Sequence, residues 1–217
     1  MTIIIKQILV LAGSAVMALC LLSCSSNSKQ VPDAQPTAKA TKELVPTIYF
    51  YSMGSTDKEL VTAMLDSLKA HYPQCKYMGT VPLPKDAITQ KRHDHVRYRT
   101  DILNEHLAKY KTDNTIVLGL TKSDIGKDNF RGQPHWGIFG EANGIGRGVA
   151  VVSSYRLHNN TELFRAILHE LGHTEGLRHC KNKGCLMQNA NGKNPFKTNT
   201  SFCKSCKANM ISKHWKL

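Results

Sequence analysis

The stretch His169-Glu170-Leu171-Gly172-His173-Thr174-Glu175-Gly176-Leu177-Arg178-His179 decides how this chain is read. Helical neighbours four residues apart lie about 5–6 Å from each other, so the imidazoles of His169 and His173 can reach one ion at roughly 2.0–2.1 Å each. Glu170 follows the first of them, as in the His-Glu-x-x-His pattern, where the carboxylate takes a proton from the attacking water and does not ligate. Gly176 can adopt the left-handed backbone that ends a helix, and the turn it makes returns His179 toward the same ion. Gly172, without a side chain, predicts close packing against that side of the helix.

The whole run fits the metzincin pattern, with Met187 as the candidate for its methionine turn. Three imidazoles leave the fourth tetrahedral position open, which is the arrangement of a catalytic zinc and not of a structural one.

The helix bearing these residues is predicted to start near Asn160 or Thr161, either of which can cap it, with Glu162 at the positive end of the dipole. Phe164, Ile167, Leu168 and Leu171 form its apolar stripe, and Glu162, Arg165, His169 and His173 run along another line, away from that stripe. Upstream, Val149 to Ser153 and Trp136 to Phe139 read as strands joined by the glycine-rich segment 140–148, with one of them at a sheet edge. Thr121 to Pro134 is polar, and Thr115 to Leu120 is a short apolar strand, central in its sheet. Ile102, Leu103, His106, Leu107 and Tyr110 mark one amphipathic helix. Leu60, Met64, Leu65 and Leu68 mark another, after a strand at Thr47 to Tyr51. No internal repeat or heptad interrupts this pattern. The fold class expected is α/β (α+β): a mixed twisted sheet packed with helices, the active-site helix being followed by a small C-terminal part.

Cys180, Cys185, Cys203 and Cys206 form two close pairs, and the final Cys-Lys-Ser-Cys has the spacing of thiolate zinc ligands. Four thiolates would make a closed structural site. Cys75 reads as a buried small apolar residue. His93-Asp94-His95 could chelate on a strand but has no third partner nearby, and reads as a polar loop. The remaining histidines, His135 among them, have no motif around them.

From His169 to Cys206 the sequence resembles the archaemetzincins, a metzincin-like family of zinc proteases. The resemblance is carried by His179-Cys180 directly after the histidine run, by Cys185-Leu186-Met187, and by Cys203-Lys204-Ser205-Cys206. Weaker likeness extends through Gly137 to Ala142 and Val149 to Leu157, and the first hundred residues carry no such motif. The resemblance implies a metzincin fold with two zinc ions per chain. One would be catalytic on His169, His173 and His179, the other structural on Cys180, Cys185, Cys203 and Cys206.

At the other end, Lys6 precedes an apolar run from Ile8 to Leu22 that is too short and too N-terminal for a mature span, and reads as a signal peptide. Leu21-Leu22-Ser23-Cys24 resembles a bacterial lipobox, which makes Cys24 the expected lipidated N-terminus. The expected organisation is a leader over 1–23, in which Cys20 is lost, a flexible tether over 24–45, and a protease domain over 46–217. The protein is therefore expected outside the cytoplasm, anchored to a membrane on the periplasmic or cell-surface side. An oxidising compartment could instead turn the cysteine pairs into disulfides. Nine cations and no carboxylate between Gly176 and Leu217 favour thiolates and so lean toward zinc.

The formal charge of +13 is concentrated in that same C-terminal stretch. It fits a solvated basic face, or contact with anionic headgroups or acidic substrates. Nucleic acid is not an expected partner, because export removes it and no aromatics interleave with the cations. The function expected is that of a monomeric zinc metallopeptidase, in which a zinc-activated water and Glu170 as general base hydrolyse a peptide held along an edge strand, Val149 to Ser153. The alternative is a lipid-anchored, metal-stabilised binding protein without catalysis, which would have no need of Glu170.

Overall fold

β1 (Thr47–Met53) and β5 (Thr115–Thr121) form the middle of the architecture, and every position of β5 is buried. A strand covered on both faces reads as a continuous apolar run, which is why Thr115 to Leu120 looked central in the sequence. The computed structural model describes residues 44–92, 95–128 and 132–217. The leader, Cys24, the tether up to residue 43, and His93 and Asp94 lie outside the described residues.

Five strands form the main sheet in the order β2 (Cys75–Val81), β1, β5, β9 (Val149–Ser153), β8 (Gly140–Ala142). All pairs are parallel except β8 with β9. Side chains alternate across it as the pleat requires. Ile116, Leu118 and Leu120 of β5, with Ala150 and Val152 of β9, join one core with α1 (Lys58–His71) and α3 (Asn160–Thr174). Val117, Val149 and Val151 join a second core with Leu103 and Leu107 of α2 (Thr100–Ala108). Among the described residues no helix is long and apolar enough to cross a membrane.

Two expectations are corrected. There is a second sheet, of four strands, in the order β3 (Ile88–Arg92), β4 (His95–Arg99), β6 (Asp124–Lys127), β7 (Trp136–Ile138). Its strand β6 falls in the stretch that reads as polar connection, because Asp-Ile-Gly-Lys has little strand propensity. Asp124 is nevertheless buried, held by Arg97 at 2.7 Å and Arg156 at 2.8 Å. Nor is Val149–Ser153 at an edge. β8, drawn from the glycine-rich connection, pairs outside it through Gly140 with Val152 and Ala142 with Ala150. Gly-Glu-Ala carries no β-branched residue, so the sequence pattern hides this edge strand.

Candidate metal centre and cleft

α3 carries the histidine run, and its ends are built as helix ends should be. The cap is Asn159, one residue before the expected pair, and its side chain accepts a hydrogen bond of 2.9 Å from the Glu162 N–H. At the other end Gly176 sits at φ +99°. Its N–H donates to the His173 carbonyl at 3.1 Å and Leu177 N–H to the Gly172 carbonyl at 2.9 Å, the paired bonds of a Schellman motif. That turn brings His179 back alongside its two predecessors. The line of His169 and His173 runs away from the apolar stripe and is itself covered. Both are buried, as are Leu163 and Ala166, so α3 is enclosed on nearly every side.

The ligand atoms of His169, His173 and His179 all lie within 4.8 Å of one another. His169 Nδ1 is 2.7 Å from the Leu186 carbonyl and His173 Nδ1 is 2.7 Å from the Leu177 carbonyl. A carbonyl only accepts, so both Nδ1 atoms carry the proton and both Nε2 atoms present lone pairs. Those Nε2 atoms stand 3.1 Å apart. Two lone pairs facing at that distance suit a cation between them, and two nitrogens of a tetrahedral zinc site would be about 3.3 Å apart. Burial, then the neighbouring His173, depresses His169 to about 3, and burial lowers His173 and His179 as well. All three rings are thus held in the neutral form that ligates. Zinc fits this donor set.

The carbonyl that orients His169 belongs to Leu186, one residue before Met187, in a turn closed by Gln188 N–H to the Cys185 carbonyl at 2.9 Å. Met187 is fully buried beneath the site.

Cys180, Cys185, Cys203 and Cys206 are all free thiols, and their four sulfurs lie within 4.8 Å of one another. Cys180 Sγ and Cys203 Sγ are 3.8 Å apart, which matches the spacing of about 3.8 Å between sulfurs bound tetrahedrally at 2.3 Å. The four converge on one point and do not separate into two pairs. Cys203 begins α4 (Lys204–Ser212), and hydrogen bonds from the Ser205 side chain and the Cys206 backbone lower its thiol to about 5. At Cys203 these hydrogen bonds favour the thiolate, whereas burial raises the thiols of Cys185 and Cys206. Cys75 is buried as expected, and burial pushes its thiol up to about 12.

Glu170 is also buried, and burial followed by the charge of Glu141 pushes its carboxyl up to about 8, against a hydrogen bond with the Ala142 backbone. A Cβ at Gly140 would come within 2.7 Å of Glu170 Cγ, so this strand needs its glycine to admit the carboxylate. Glu141 accepts from Lys127 Nζ at 2.5 Å and from the Thr100 hydroxyl, and its carbonyl takes the Asn104 amide at 3.0 Å. Glu141 lies in a stretch noted only for its weak family likeness. Lys127, Thr100 and Asn104 carried no signal at all, since tertiary pairing alone brings them together.

These groups open into a cleft of about 1770 Å³. Its lining brings together the three histidines and Glu170, residues of β7 and β8, and residues between Asn189 and Phe196. His135, unremarkable in the sequence, lines it too.

Three convergent neutral imidazoles next to a buried carboxyl, in an open cleft on a metzincin-type helix, define a metal-dependent hydrolase. The sequence model of Peptidase family M54 matches residues 50–212, and the chain belongs to that family of zinc-dependent metallopeptidases. The archaemetzincin of Methanopyrus kandleri is 27% identical over 159 residues, covering 68% of this chain and 86% of its own length. That of Aeropyrum pernix is 31% identical over 162 residues, covering 65% and 80%. The solved archaemetzincin of Methanopyrus kandleri superposes with a TM-score of 0.64 at 22% identity, covering 80% of this chain and 98% of that one. That of Archaeoglobus fulgidus gives 0.61 at 21%, covering 75% and 99%. The fold is theirs, and the alternative of a non-catalytic binding module is set aside.

Proposed function

We propose that His169, His173 and His179 hold the catalytic zinc and that Glu170 is the general base. Zinc bound there would polarise a carbonyl oxygen and bring the pKa of a water near 7. Glu170, kept out of bulk solvent, accepts in its ionised form the proton of the attacking water and passes it to the departing amine. The observation that carries this reading is that the Leu186 and Leu177 carbonyls fix both helix histidines in one tautomer with their Nε2 atoms 3.1 Å apart.

The peptide is assigned to the open edge of β8 instead of β9. Ser153 N–H donates to the Phe139 carbonyl and Asn143 N–H to the Val149 carbonyl, each at 2.8 Å. Antiparallel alternation therefore turns the backbone of Gly140 away from β9 and toward the cleft, where an extended chain can pair with it. Met187 serves as the methionine turn, and Cys180, Cys185, Cys203 and Cys206 hold a second, structural zinc.

The domain is assigned to residues 46–217. Supporting this start, the Pro46 carbonyl accepts the Tyr72 hydroxyl at 2.7 Å immediately before β1. Lys6, the apolar run that follows it and the lipobox-like Leu21-Leu22-Ser23-Cys24 support export as a lipoprotein anchored through Cys24, acting as a monomer. A Cys24→Ser variant that still carries lipid would rule out that anchor.

The decisive test replaces Glu170 by Gln. Zinc content should remain two per chain while peptide cleavage falls by a factor on the order of a thousand or more. Undiminished cleavage would remove Glu170 from its role, and a single zinc alongside disulfides would remove the cysteine site.

A further inference from the structure

The part of the cleft lining that comes from beyond Gly176 carries cations and no carboxylate. That stretch is without Asp or Glu, and two of its residues, Arg178 and Lys193, are exposed along the cleft. Among the described residues neither has an acidic partner. The other cations lining the cleft differ. Lys127 is bound to Glu141 at 2.5 Å. Arg97 and Arg156 share the one carboxylate of Asp124, so even that corner keeps an excess of positive charge. Of the acids along the cleft, Glu141 is bridged by Lys127 and Asp128 by Arg99, and Glu170 is buried.

Lys193 is also carried on a fixed backbone. Its N–H closes a turn on the Ala190 carbonyl at 2.9 Å. Gly192 before it sits so close to the Trp136 ring that a Cβ there would touch it at 3.4 Å. Asn194 after it donates to Glu162 at 2.8 Å, and the Phe196 carbonyl takes Arg165 at 2.7 Å. A cation placed in this way in the lining of the cleft that holds the reacting centre acts on whatever lies in the cleft, whereas a bilayer surface cannot enter it.

We propose that the enzyme selects acidic peptides, with Glu or Asp side chains of the substrate meeting Arg178 and Lys193 in the cleft. The proposal rests on the peptidase site argued above and names its substrate class. Two partly exposed cations are expected to give roughly a three- to tenfold preference.

The test uses the zinc-loaded full chain and matched fluorogenic peptides that carry Glu, Gln or Lys at two positions on each side of the cut. The expected order of kcat/KM is Glu over Gln over Lys, with the spread shrinking at 0.5 M salt. Lys193→Glu combined with Arg178→Gln should bring the Glu-to-Lys ratio to one or below. Anisotropy of the same peptides, labelled, on the Glu170→Gln protein reads the preference without turnover. Equal cleavage of Glu and Lys peptides overturns the inference and leaves the peptidase standing. Failure to cleave any peptide overturns the catalytic assignment, and the anisotropy then decides the charge preference alone. If the charge variant changes binding to phosphatidylglycerol vesicles but not the peptide ratio, the cations serve a membrane and the inference falls.

Discussion

Gly172 and Met187 touch: a Cβ built on Gly172 would stand 2.5 Å from Met187 Sδ and 3.1 Å from its Cε. The active-site helix and the turn after it are in contact at the one residue between His169 and His173 that has no side chain. Met187 is flexible in principle, but it is fully buried and has little room to yield. Gly172→Ala should therefore lower the unfolding free energy by about 1–3 kcal/mol, although Ala is the better helix former by roughly 1 kcal/mol. Adding Met187→Ala should recover part of the loss, which a double-mutant cycle in urea would read. A Gly172→Ala protein more stable than the wild type would show that the contact is slack.

Gly176 poses the opposite case. Its φ is +99°, yet nothing lies within 4 Å of where its Cβ would be. Gly176→Ala should then act through backbone strain alone, on the order of 1 kcal/mol or more, and Gly176→Val more strongly. Because the same turn positions His179, zinc affinity should fall along with stability. Chelator competition on the variants would show whether the two losses go together. Full affinity in Gly176→Val would mean that His179 reaches its place without the turn.

The histidine run, Gly176, Met187 and the cysteines were all readable because each depends on local spacing or on a residue type with one physical use. Thr115 to Leu120 and Val149 to Ser153 were readable for the same reason, as apolar runs. What escaped was set by partners distant in sequence. Asp124 is buried with Arg97 and Arg156 paired to it, and β8 is a strand through the ladder that β9 offers it. The carboxylate of Glu141 meets Lys127 and Thr100 from two other elements, a meeting that no period or motif encodes.

The two proposed zinc sites share backbone. Cys185 lies one residue before Leu186, whose carbonyl orients His169, and Cys180 N–H donates to the Met187 carbonyl at 2.8 Å. Removing the structural zinc should loosen that turn. Cys206→Ser is expected to give one zinc per chain, a fall in Tm, and a drop in kcat/KM of roughly tenfold or more, acting through the Leu186 carbonyl that orients His169. Unaltered kcat/KM with one zinc lost would show that the sites are independent.

The metal-free protein should carry two opposed pH dependences. Glu170 is raised from 4.5 to about 8, so between those values the native state holds a proton that the unfolded chain has released. Its contribution is fully present below pH 4.5 and is lost as pH rises toward 8. His169 is lowered from 6.5 to about 3, so its contribution is present above pH 6.5 and is lost as pH falls toward 3. Urea unfolding of apo wild type and apo Glu170→Gln from pH 4 to 9 separates the two. The variant lacks the first dependence, so its stability relative to wild type should climb with pH by up to about 1.4 kcal/mol per unit across the Glu170 window and then level off. Parallel curves would mean that Glu170 ionises as freely in the folded protein as in the unfolded chain, and would remove the burial effect on its carboxyl.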